Sequence, residues 1–119
     1  MYARDNVAGA SDLQQRLPGG PEVAAATDML RMLADPTRLR LMWLLSEGEY
    51  DVTALVTALG TARPAVSQHL GKLRLAGLVS VRRDGRRAVY QARGGHVRRL
   101  VTEVLHAASH RVTGTPVHD

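Results

Sequence analysis

The stretch DVTALVTALGTARPAVSQHLGKLRLAGL, Asp51–Leu78, decides the fold. Val52, Leu55, Val56 and Leu59 recur three and four apart, the spacing of one buried helical face. Gly60 predicts the stop, because glycine takes the left-handed conformation at a helix end without a Cβ clash. Thr61 is the expected cap of a second helix, and Pro64 suits its first turn, where a missing N–H costs little. At about 100° per residue, Val66, Leu70 and Leu73 face inward in that helix, and Pro64, Ser67, Gln68, Gly71 and Lys72 face outward. Two helices joined by a short glycine-containing turn make a helix-turn-helix, whose second helix fits the major groove of DNA. An ordinary hairpin in a small all-α domain has the same local signature, so the flanking sequence has to choose between them.

Beyond Ala76-Gly77 the period changes. Leu78, Val79 and Val81 are strand formers, and Ala88-Val89-Tyr90 is a second β-prone run. Asp84-Gly85 between them predicts a hairpin turn. Arg82, Arg83, Arg86 and Arg87 flank that turn. Such a charge run is often only a solvated face. Placed on a hairpin directly after a helix-turn-helix, it reads as a wing that touches phosphates, adding salt-dependent affinity but little sequence information.

Upstream, Val23, Ala26, Met29, Leu30 and Leu33 form a helical stripe over residues 22–34. Asp35-Pro36 then predicts a cap and the first turn of a helix to about Ser46, with Leu39, Met42, Trp43 and Leu45 as its core. Glu47-Gly48-Glu49 breaks it. Residues 1–21 read as a mobile arm with a helical piece near Asp12–Leu17, and residues 111–119 as a flexible tail. Between them, 22–110 is one winged DNA-binding and dimerisation domain. After Gly94-Gly95, Val97, Leu100, Val101, Val104, Leu105 and Ala108 give a last helix a wide apolar face with no later element to cover it. That face predicts a homodimer through the terminal helices, which would present two recognition helices to two half-sites. The expected fold is therefore mainly α with a small β-hairpin, in the order α-α-α-α-β-β-α.

Composition narrows the function. Lys plus Arg is 16 and Asp plus Glu is 11, for a net charge of +5. The calculated pI of about 10.7 is in the range of nucleic-acid binders. There is no cysteine, which excludes disulfides, thiolate metal sites and cysteine nucleophiles. Phe is absent and aromatics are few, against a base-stacking surface for single strands. No apolar run of membrane-spanning length and no signal-peptide core occur, so a cytoplasmic protein without membrane contact is expected. No Ser/His/Asp order, phosphate-binding glycine loop or paired carboxylates support an enzyme.

The segments MLADPTRLRLMWLL (Met32–Leu45), DVTALVTALG (Asp51–Gly60), PAVSQHLGKLRLAGLV (Pro64–Val79) and RRDGRRAVY (Arg82–Tyr90) together resemble the ArsR/SmtB family of bacterial metal-responsive repressors. The resemblance implies a winged helix-turn-helix homodimer that binds a palindromic operator and releases it when an effector binds. By position it implies that Ser67, Gln68 and His69 contact bases. The helical wheel places His69 nearer the core edge, leaving a packed or phosphate-contacting histidine as the alternative. Arg63 and Lys72 complete the expected DNA-facing set with the four wing arginines. Tyr50-Asp51-Val52 stands where the family's thiol-type sensing site needs cysteines, so that site is absent.

The family's other common site lies in the C-terminal helix and suits zinc, nickel or cobalt. His96, Glu103 and His110 are spaced seven and seven, nearly two turns each, so they share one stripe, and His106 lies beside it. His96 and His110 are roughly 21 Å apart along one helix, while metal–nitrogen bonds are about 2 Å. One chain cannot bring both to one ion; an antiparallel second copy can. The resemblance leans toward a nickel/cobalt-sensing branch through SQHL and the opening MYA. Gly94 and Ala107 stand where that branch has ligands, and Ser109 where it often has Glu; His118 or the N-terminal amine are substitute donors. The alternatives are surface histidines with no metal role, and a regulator that is constitutive or controlled by a partner protein. No organic cofactor is expected.

Overall fold

The computed structural model describes residues 9–114. The outermost parts of the expected arm and tail, including the N-terminal amine and His118, lie outside the described residues. Six helices and three short strands follow in order: α1 (Ala10–Arg16), α2 (Gly20–Leu33), α3 (Pro36–Glu47), β1 (Tyr50–Asp51), α4 (Val52–Leu59), α5 (Arg63–Leu75), β2 (Val79–Asp84), β3 (Arg87–Ala92) and α6 (Gly95–Thr113). The expected helical piece of the arm is α1, shifted two residues upstream at its start. α6 runs three residues past His110.

Side-chain chemistry accounts for most boundaries. Asp35 accepts the Arg38 N–H at 2.9 Å and caps α3, with Pro36 just behind it. Gly60 has φ +65° and ends α4, as its position predicts. Gly77, at φ +78°, closes α5, and the Leu78 N–H donates back to the Leu73 carbonyl at 2.9 Å. One cap differs from expectation. The residue before α5 is Ala62, without a side-chain cap bond, and Thr61 lies a residue too early. The first turn of α5 rests on Pro64 instead, whose missing N–H removes one donor that would need a partner.

The three strands pair antiparallel in the order β1-β3-β2. β2 and β3 form the expected hairpin with Asp84 opposite Arg87, so its two-residue loop is Gly85-Arg86, one position later than Asp84-Gly85 suggests. Gly85 alone has positive φ (+64°) there, the type II′ pattern with glycine first. β1 is an addition to the expected order: Tyr50 and Asp51 pair with Tyr90 and Val89.

The core sits where α3, α4, α5 and α6 converge on the inner face of this sheet. Leu41, Met42, Leu45, Val66, Leu70, Leu73 and Val101 are fully buried, with Leu55, Leu78 and Val79 nearly so. The inward set expected for α5 is therefore met in full. Leu41 was not singled out by the periodicity of α3, whereas Leu39 and Trp43 are only half-buried. In α6, Val97 and Val101 are buried, but Val104 is 43% exposed. No helix of the described residues is long and apolar enough to cross a membrane.

Candidate nucleic-acid interface

Helix α5 presents a polar outer face because its buried triad consumes the other one. Val66, Leu70 and Leu73 anchor it, and Arg63, Ser67, Gln68 and Lys72 remain exposed. The Arg63 guanidinium donates to Thr53 Oγ1 at 2.6 Å, tying the start of α5 to α4. Ser67, Gln68 and Lys72 supply donors and acceptors of the kind that read base edges and phosphates.

His69 differs from these neighbours. It is half-buried, and its Nδ1 lies 3.3 Å from Arg38 Nη1 and 4.0 Å from Asp35 Oδ2. A guanidinium can only donate, so Nδ1 is the acceptor. The same Arg38 donates through Nε to the Met32 carbonyl at 2.7 Å. His69 thus joins α5 to the start of α3, the packed alternative that the helical wheel left open. Asp35 is held below the ordinary carboxylate range, first by the Arg38 N–H and then by the Arg38 charge, against some desolvation.

The wing's four arginines have unequal surroundings. Arg82 donates through Nε and Nη2 to both oxygens of Glu49, at 3.1 and 3.2 Å. Arg87 reaches Asp84 at 2.9 Å and Asp51 at 3.3 Å. Arg83 bonds only a carbonyl, that of Arg86 at 3.3 Å, and Arg86 has no side-chain partner among the described residues. Glu49 is pulled to lower pKa chiefly by the Arg82 hydrogen bond, and both Arg82 and Arg87 are pushed up by their carboxylates. Asp51 also accepts the Ala54 N–H at 2.9 Å, capping α4; that bond first, then Arg87, lowers its pKa. The partners Arg38, Glu49 and Asp51 were not foreseen. Glu49 and Asp51 lie two apart on an extended segment, a spacing that puts both on one side, and this was the available signal.

On α6, His96, Glu103 and His106 are exposed and His110 is half-buried. Arg99 Nη2 lies 3.1 Å from His96 Nδ1. His106 meets the edge of Trp43 at a ring-centroid distance of 6.2 Å. His110 Nδ1 is buried without a hydrogen-bond partner among the described residues. Among the described residues, no three His, Asp or Glu side chains converge as a metal site would require.

Residues 35–81 match the family described as "Bacterial regulatory protein, arsR family". The HTH-type transcriptional regulator KmtR of Mycobacterium tuberculosis is 42% identical over 97 residues, covering 82% of this chain and 75% of that protein. NmtR of the same organism, also an HTH-type transcriptional regulator, is 38% identical over 87 residues, covering 73% and 72%. The homodimeric winged helix-turn-helix DNA-binding domain of Mb0332 from Mycobacterium bovis superposes with a TM-score of 0.73 at 30% identity, covering 87% of this chain and 99% of that one. Buried triad, exposed polar face, arginine wing and kinship converge: the chain belongs to the ArsR family and is a winged helix-turn-helix transcriptional regulator that acts on DNA, not an enzyme.

Proposed function

We propose that the protein is a cytoplasmic homodimeric repressor that grips a palindromic operator with two copies of α5 and two wings, and whose grip is modulated by nickel, cobalt or zinc. The observation that carries the DNA reading is the outer face of α5, where Ser67, Gln68 and Lys72 are exposed over a fully buried Val66, Leu70 and Leu73. Dimerisation is supported by apolar side chains that one chain leaves uncovered, among them Leu30 at 53% and Val104 at 43% exposed. The homodimeric Mb0332 domain offers a precedent.

For the effector, His96, Glu103 and His110 lie along one side of α6. Imidazole and carboxylate suit nickel, cobalt and zinc alike, and intrinsic affinity order does not choose among them. His110 Nδ1 has no hydrogen-bond partner among the described residues, so it is not committed to another group within the chain. His96 and Glu103 would serve from one subunit, with His106 and His110 of the partner subunit. Bound there, a divalent ion supplies a coordination geometry that restricts how the two helices cross. His96 must first give up its bond from Arg99, because that guanidinium occupies the Nδ1 lone pair. Both ligands of the regulator would then bias one element, the dimer's relative subunit orientation.

The test is binding of a duplex from the protein's own promoter, with and without each metal, at a stated salt concentration. A change of roughly 5- to 150-fold in affinity supports metal control. Loss of that change in the His96→Ala/His110→Ala variant, with metal-free affinity intact, places it on α6. A second reading, a regulator without metal control, is favoured by Gly94 and Ala107, which stand where the resemblance implies ligands. Unchanged affinity with all three metals selects it, and a requirement for a cell extract would then point to a partner protein.

A further inference from the structure

We propose that the wing's arginines divide into two pairs: Arg83 and Arg86 meet DNA phosphates, whereas Arg82 and Arg87 are positioning residues that fasten the wing to the segment Glu49–Asp51. The assignment rests on the DNA-binding reading above and refines it. Arg82 spends both faces of its fork on Glu49, a bidentate charge-assisted pair. Arg87 is shared between Asp84, within the hairpin, and Asp51, at the start of α4. A phosphate that approaches Arg82 therefore meets a neutral ion pair, and one that approaches Arg87 meets two carboxylates around a single guanidinium. Among the described residues, Arg83 and Arg86 have no carboxylate partner and present uncompensated charge at the hairpin's tip.

Asp51 gives the clasp its purpose. Its Oδ1 accepts the Ala54 N–H and its Oδ2 accepts from Arg87, so one side chain holds both the first helix of the helix-turn-helix and the wing. Glu49 repeats the link on the other side of Tyr50. With β1 paired to β3, the wing's angle relative to α5 is set by these two carboxylates rather than by the hairpin alone.

The salt dependence of binding distinguishes the two roles, because log K falls against log salt with a slope of about −0.9 per phosphate neutralised. A fluorescein-labelled, mixed-sequence duplex is titrated with the full-length protein at several potassium chloride concentrations. Arg83→Ala and Arg86→Ala are each expected to flatten the slope by about one per wing. Arg82→Ala leaves the slope unchanged while lowering affinity. Glu49→Gln frees Arg82 and steepens the slope by about one per wing, and adding Arg82→Ala to Glu49→Gln removes that gain. Glu47→Gln, at an exposed carboxylate with no ion-pair partner among the described residues, controls for net charge and leaves the slope as it was. Equal flattening by Arg82→Ala and Arg83→Ala overturns the division, as does a Glu49→Gln slope equal to that of the parent. A parent protein that does not bind the duplex at low salt overturns the DNA-binding reading itself, a result distinct from either of these.

Discussion

Asp51 shows how much one side chain decides in a small protein. It ends β1, caps α4 and holds Arg87. Asp35 plays the matching part at α3, capping that helix beside the Arg38–His69 contact. With Glu49, these carboxylates all have folded pKa values below their unfolded ones. The unfolded chain therefore binds more protons in acid, so their contribution is complete above the unfolded pKa and is lost as pH falls through the folded value. Thermal unfolding should show Tm declining below about pH 4. Asp51→Asn keeps a good capping side chain but removes the charge, and should reduce that decline. A Tm equally acid-sensitive in both proteins would mean that Asp51 does not contribute. Gly60→Ala places a Cβ in the left-handed region and should cost about 1–2 kcal/mol. Glycine and aspartate positions were legible in the sequence because their effects are local. His69 was only half legible, since Arg38, the partner that draws it inward, is 31 residues away.

At the scale of elements, helix α5 joins the core to the DNA-facing surface. Its inward triad followed directly from 3.6-residue periodicity, and every member is buried. Leu70→Ala should cost about 2–5 kcal/mol by leaving a cavity against α3 and α4, measured by denaturant unfolding. Leu75, on the same helix but 92% exposed, should tolerate Leu75→Lys with little change in stability. Equal losses in the two variants would contradict the burial pattern. The helices and hairpin could be read from the chain because each has its own period or turn chemistry. β1 could not. Two residues have no period, and Tyr50 and Asp51 become a strand only because β3 lies alongside. The hairpin's turn was misplaced by one residue because Asp84 and Gly85 form a good turn pair wherever they sit. The cross-strand pairing of Asp84 with Arg87 sets the actual register.

Seen whole, the described residues extend 64 × 36 × 21 Å, with α1 and the first part of α2 standing away from the core. Leu13, Leu17, Val23 and Leu30 are exposed between the start of α1 and the end of α2, and Val104 along α6. Val104→Glu should shift the protein toward a single-subunit mass in sedimentation at micromolar concentration and weaken operator binding at least tenfold. A variant that keeps the parent's mass and affinity would show that α6 does not join the subunits. The DNA-facing helix was legible in one chain's sequence because that chain alone builds it. The proposed effector site was legible only as a stripe of donors, because in that proposal its convergence depends on a second copy. The sheet order has its own consequence. β1 offers a prospective intruding strand only two residues to grip, and β2, at the opposite border, carries Arg82 and Arg83. Short borders and like charges both discourage strand-by-strand growth into fibrils. Of these two, Arg83, without a carboxylate partner among the described residues, leaves an uncompensated charge on that border, so the guanidinium proposed to meet a phosphate also discourages neighbouring molecules from zipping together.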